Sequence, residues 1–141
     1  CISSAASDVY KRQIPVSDFE KEHPFLLHAK LGAYIAKAKY NVTDKEILSA
    51  ITYHTTGKPD MTMLEKIVYI ADYIEPARNK APRLTEIRRL AFEDLDECMY
   101  EILKDTLSYF EENPKDVDAA TKEAFEYYSV LHKNRFAEEQ A

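Results

Sequence analysis

Two helix-start signatures, Thr43-Asp44-Lys45-Glu46 and Thr62-Met63-Leu64-Glu65, stand on either side of the turn Thr55-Thr56-Gly57-Lys58-Pro59-Asp60. Each reads as a capping box, in which the first hydroxyl accepts from the third amide of the helix and the glutamate reaches back to the cap amide. Between them the chain must turn, because Gly57 supplies free dihedrals and Pro59 discourages helix. The apolar residues behind each box recur at helical spacing. Ile47, Leu48 and Ile51, with Tyr53, form the first stripe, and Leu64, Ile67, Val68 and Ala71 the second. This punctuation commits residues 43–76 to a helix–turn–helix pair, with Pro76 ending the second helix.

The same period runs through the rest of the chain. Pro24 suits the first turn of a helix that reaches about Tyr40, with Leu27, Leu31, Tyr34, Ile35 and Ala38 on one face. Gly32 inside that helix costs about 1 kcal/mol, so close packing or ligand approach is expected there. Asn79 to Pro82 is a polar loop. Leu84 to Glu112 is helical, with a break expected at Glu93-Asp94, and Asn113-Pro114 stops it. Ala119 to Phe136 is the last helix, followed by a frayed tail over residues 137–141. Residues 1–13 are Ser/Ala-rich at the start, show no helical face, and read as a non-native or disordered leader. The expected domain is 14–136, an all-α bundle of five or six helices. Only two glycines occur in 141 residues, in keeping with helix rather than sheet.

The formal net charge of −6 argues against a nucleic-acid-backbone binder, which needs a basic face. It leaves a small phosphorylated ligand open, since a metal ion and one arginine invert the local sign. Cys1 and Cys98 are too few and too far apart for a disulfide framework or thiolate metal site, so a reducing cytoplasm is expected. No apolar run approaches the ~20 residues that span a bilayer, and nothing resembles a signal peptide.

Chemistry concentrates in residues 54–78. His54 ends a helix beside Thr55, Thr56 and Gly57, Asp72 follows 18 residues later, Arg78 follows Asp72 by six, and His28 precedes His54 by 26. Asp72 falls in the stripe expected to face the core, where a carboxylate needs a partner or a metal. Imidazole and carboxylate are ordinary ligands of zinc, iron or manganese. Threonine hydroxyls and the amides of a glycine turn donate to phosphate oxygens, and the Arg78 fork suits a bidentate phosphate contact. Plainer readings stand beside these. A histidine at a helix end is often structural, Asp72 is an equally good ion-pair partner for Arg78 or Lys66, and Thr55-Thr56-Gly57 is also simply a turn. His23 is expected to be exposed, His132 has no assigned role, and Glu65 and Lys66 read as a cap and a solvated face.

Three motifs, Leu26-Leu27-His28-Ala29, Ala50-Ile51-Thr52-Tyr53-His54-Thr55-Thr56-Gly57 and Glu65-Lys66-Ile67-Val68-Tyr69-Ile70-Ala71-Asp72-Tyr73-Ile74-Glu75-Pro76-Ala77-Arg78, resemble the YqeK-type branch of the HD-domain phosphohydrolases. The resemblance runs from about Pro15 to Phe110. It implies an all-α, bacterial, metal-dependent enzyme, with iron the expected metal, that cleaves diadenosine tetraphosphate symmetrically to two ADP, in a family where homodimers are known. Carried over by position, His28, His54 and Asp72 resemble the catalytic set, with Asp72 the closing metal ligand and His28 and His54 available to a second metal. His28, His54, Thr55, Thr56, Gly57 and Arg78 resemble the substrate-binding groups. The pattern departs at its most characteristic point, because no His-Asp dipeptide occurs in this sequence. The chain, which begins with Cys, therefore reads as an N-terminally truncated fragment holding one of four primary ligands, with weak or no catalysis expected. The alternatives are another HD-type nucleotide phosphatase, a non-catalytic nucleotide-binding module, and a helical assembly domain that uses the Leu84–Phe110 stripe as an interface.

Overall fold

The computed structural model describes residues 7–9, 11–111 and 116–139. All regular elements among them are helical: residues 7–9 and 11 within the expected leader, then α1 Asp18–Glu22, a 3-10 turn Pro24–Leu26, α2 Leu27–Tyr40, α3 Lys45–Tyr53, α4 Met63–Tyr73, α5 Leu84–Glu93, α6 Leu95–Tyr109 and α7 Ala119–Glu139. The chain is an all-α bundle. Helices α2, α3 and α4 pack in series, α4 packs on α6, and α6 is flanked by α5 and α7.

The helix ends follow local chemistry. Thr62 and Glu65 form the reciprocal capping box at α4. At α3 the cap is Asp44, not Thr43: its carboxylate accepts from the amides of Glu46 and Ile47, and a carboxylate there also favours the positive end of the helix dipole. A further capping box at Ser17 and Glu20 opens α1. Asn41 ends α2 in the left-handed conformation at φ 57°, with the Val42 amide bonded back to the Ala36 carbonyl at 3.0 Å, the usual way to satisfy terminal carbonyls. The break at Asp94 separates α5 from α6, and the Asp94 side chain caps α6. Helix α7 extends past the expected Phe136 to Glu139; residues 140 and 141, like 1–6, 10 and 112–115, lie outside the described part, and with them the expected stop at Asn113-Pro114.

The main core joins Met61, Tyr69, Ile70, Ile87, Cys98, Met99, Ile102, Leu103, Ala124 and Tyr128, and a smaller cluster joins Val9, Leu27 and Leu31. Val9, within the expected leader, is fully buried. The α4 stripe differs from expectation. Tyr69, Ile70 and Glu65 are buried, whereas Ile67 and Ala71 are exposed, and Ile47 on α3 is exposed as well. Glu65, expected as a cap, does cap α4 and is also buried, at 2% exposed. It accepts from the Ser49 hydroxyl, from the Thr62 amide at 2.7 Å and pairs with Lys58 at 3.1 Å. Burial alone would raise its carboxyl pKa, but these hydrogen bonds and the Lys58 charge hold it below the usual range. Lys66 is held by Asp96 at 2.7 Å.

Candidate functional site

The α2–α3 packing sets the site. A Cβ at Gly32 would lie 3.2 Å from the Ile51 side chain, so the glycine serves close helix packing. That approach brings His28 of α2 and His54 at the end of α3 together, Nε2 to Nε2 at 3.0 Å. The His28 Nδ1 lies 2.5 Å from the Phe25 carbonyl and the His54 Nδ1 lies 2.6 Å from the Ile51 carbonyl. A carbonyl only accepts, so each Nδ1 carries its hydrogen, and both Nε2 lone pairs point at one place. Two facing lone pairs repel unless an electropositive group lies between them, such as a shared proton, a cation or a donor on a ligand. The pair is therefore poised for a partner.

The turn after α3 divides the predicted residues. Gly57 has φ +70° and packs against Tyr69 and Ala124, a conformation that favours glycine. Its amide bonds the Tyr53 carbonyl at 2.9 Å. Thr121 of α7 donates to the Thr56 carbonyl at 2.9 Å, and the Thr56 hydroxyl donates to the Gly57 carbonyl at 3.1 Å. The Thr55 hydroxyl is buried without a hydrogen-bond partner. Thr55 and Thr56, with Leu26, Lys30, Thr52 and Asp118, line a cleft of about 620 Å³ that neither His28 nor His54 borders. The sequence grouped His54, Thr55 and Thr56 as one set; the structure turns the histidine to one side and the threonines to the other.

Asp72 is exposed, not core-facing, at 53% of its side chain. Its helix carries apolar residues around most of its circumference, and contact with α3 and α6 selects the Glu65–Tyr69–Ile70 side for burial. The pairing with Lys66 does not form, and Arg78 approaches only to 4.0 Å. Arg78 instead donates to the Asp72 carbonyl at 3.3 Å and lies over the Tyr73 ring at 5.4 Å, with its Nε buried and without a hydrogen-bond partner. Its head therefore retains donors for an anion. Arg88, which the sequence reading passed over, donates to the carbonyls of Ile74, Glu75 and Arg78. Its partners are backbone groups in a distant loop, and no local pattern signals them.

His23, expected to be exposed, is half-buried and stacked on Phe19 at 4.0 Å between ring centres. His132 stacks on Tyr100 at 3.9 Å and bonds Glu97 at 2.9 Å.

The HD domain profile matches residues 8–77. A solved structure from Clostridium acetobutylicum, described as a predicted HD superfamily hydrolase involved in NAD metabolism, superposes with a TM-score of 0.82 at 31% identity, covering 93% of this chain and 69% of its own. The chain belongs to the HD-domain family. It is 46% identical over 87 residues to the symmetrical bis(5'-nucleosyl)-tetraphosphatase of Bacillus subtilis, covering 62% of this chain and 46% of that protein. It is 40% identical over 106 residues to the protein of the same name from Staphylococcus aureus, covering 74% of this chain and 54% of that one. The chain thus spans about half the length of these curated relatives.

HD-domain hydrolases bind divalent metals. The donor set of this chain does not make such a site: among the described residues no group of three or more His, Cys, Asp or Glu is placed to hold a metal ion. His28 and His54 offer two imidazoles, and Asp72 does not complete them. Among the described residues no helix is long and apolar enough to cross a membrane.

Proposed function

We propose that this chain forms the phosphate-holding side of a cytoplasmic HD-domain phosphohydrolase that cleaves diadenosine tetraphosphate symmetrically to two ADP. The convergence of the His28 and His54 Nε2 atoms at 3.0 Å carries the reading, because it aims two imidazoles from different helices at one place. Names of the Bacillus subtilis and Staphylococcus aureus relatives supply the substrate class.

In this reading the His28–His54 pair faces the polyphosphate with both Nε2 atoms. Each ring is oriented by the carbonyl behind it, so little reorganisation accompanies binding. Arg78 adds a planar cation with 38% of its side chain exposed, and Thr55 lines the cleft on the other side. Asp72, the carboxylate nearest to Arg78 in the loop region, is the metal anchor of the proposal. A divalent metal, iron first, enters only with more ligands than this chain brings together, so no step is assigned to it. A second copy of the chain is a possible partner; nucleic acid and membranes are not.

Incubation of the full chain with diadenosine tetraphosphate, with ADP release and metal content measured together, tests the proposal. The expected result is nucleotide binding with weak or no turnover. Stoichiometric iron with robust turnover from this chain would overturn the ligand count, and absence of any nucleotide binding would overturn the phosphate assignment.

A further inference from the structure

The loop that carries Arg78 has an external clamp. Helix α4 ends at Tyr73, and its last carbonyls have no partner within the helix. The chain then makes a turn over Glu75-Pro76-Ala77-Arg78, closed by the Arg78 amide on the Glu75 carbonyl at 3.0 Å and by the Ala77 amide on the Glu75 carboxylate at 3.0 Å. Arg88, on the second turn of α5, reaches both shoulders of that turn. Its Nε donates to the Ile74 carbonyl at 3.2 Å, and one terminal nitrogen donates to the carbonyls of Glu75 at 3.0 Å and Arg78 at 3.1 Å. No ion pair of Arg88 with a carboxylate occurs among the described residues, in contrast to Arg83 and Arg135.

The clamp itself stands on a fixed base. Arg83, at the start of α5, is held by Glu101 at 2.5 Å and Asp105 at 2.8 Å on α6, and Ile87, one residue before Arg88, is fully buried. Position therefore passes from the core helix α6, through Arg83 and Ile87, to Arg88 and then to the loop. At the far end the Arg78 side chain has few restraints of its own: one bond to the Asp72 carbonyl at 3.3 Å and the Tyr73 ring. Where its guanidinium lies is thus set mainly by where its backbone is held.

We propose that Arg88 is a positioning residue: it fixes the 74–78 turn so that Arg78 meets a phosphate in one geometry. This rests on the reading of Arg78 as a phosphate contact. A lysine does not replace it, because three carbonyls spread over five residues need the planar fork rather than a point charge.

Two measurements on the full chain test this, one without ligand. Amide hydrogen exchange of Arg88→Lys is compared with wild type, reading Ala77 and Arg78 against Ile102 and Leu103 of α6. Exchange at Arg78 should quicken about tenfold, as expected for loss of a charged hydrogen-bond clamp, while α6 stays protected. ADP titrations of wild type, Arg88→Lys, Arg78→Ala and the double variant form a cycle. Arg88→Lys should weaken ADP about tenfold, and the double variant should be within about twofold of Arg78→Ala alone, since coupled residues do not add. Unchanged exchange at Arg78, or ADP losses that add, overturns the proposal. Where α6 protection also falls, Arg88→Gln repeats both arms under the same criteria. If wild type binds no ADP, the phosphate reading fails, and the exchange arm still decides whether Arg88 holds the turn.

Discussion

The two ends of this bundle treat charge differently. Around α5, α6 and α7 charged groups are matched: Arg83 with Glu101 and Asp105, Arg135 with Asp94, Lys66 with Asp96, and His132 with Glu97. At the α2–α3 end Lys30 pairs with Glu20 and Lys58 with Glu65, but other polar groups there and in the Arg78 loop are unmatched. Two imidazoles aim lone pairs at each other, a threonine hydroxyl and an arginine Nε are buried without partners, and a carboxylate stands exposed at 4.0 Å from the nearest cation. Asp105 Oδ2 and Ser129 Oγ are unbonded at the other end, but each lies on a helix whose neighbours are otherwise satisfied. Matched charges describe a frame; the unmatched groups are the ones that the proposed function assigns to a ligand.

That contrast breaks if stability and binding respond to the same residues. Leu103, fully buried in the main core, should cost about 3 kcal/mol as Leu103→Ala, read as a lower denaturant midpoint, with ADP affinity per folded molecule unchanged. Glu65→Ala should cost about 2 kcal/mol, because it strands Lys58 and Ser49. The carboxyl pKa of Glu65 is depressed in the fold, so its contribution is present above the unfolded value of about 4.3 and is lost as pH falls through the folded value. Urea midpoints measured from pH 6 down to pH 3 should therefore drop steeply in wild type and less steeply in Glu65→Gln. His28→Ala should change stability by no more than about 0.5 kcal/mol, being an exposed substitution, while weakening ADP about tenfold. The smallest effect concerns Cys98, whose thiol is pushed up to about 12 by burial. Maleimide at pH 8 should leave Cys98 unlabelled until the protein unfolds.

Most of the helices are legible in the sequence. Caps at Thr62, the stop at Pro76, the break at Asp94 and the start at Ala119 are local chemistry, and local chemistry is what a sequence states directly. Helix α1 is an exception of length: Ser17-Asp18-Phe19-Glu20 carries the same signature as Thr62, but it opens only five residues, too few to display a face. The buried side of α4 is not legible for another reason. Its apolar residues occupy most of the helix, so periodicity does not choose a side, and the choice falls to Ser49 and Lys58 arriving to satisfy Glu65. The same ambiguity makes Asp72 look inward in sequence although 53% of its side chain is exposed. The meeting of His28 with His54 depends on how closely α2 and α3 approach, which Gly32 hinted at. The separation of Thr55 and Thr56 from His54, and the grip of Arg88 on three carbonyls, arise from contacts far apart in sequence, and no motif records them.

On the proposed function the unmatched groups bind phosphate without a complete metal site. Calorimetric titration of ADP into the full chain in the presence of a chelator tests this. Binding that persists in chelator, and falls about tenfold for each of His54→Ala and Arg78→Ala at unchanged denaturant midpoint, is the predicted result. ADP binding that vanishes with chelator, or that is indifferent to both substitutions, would contradict it.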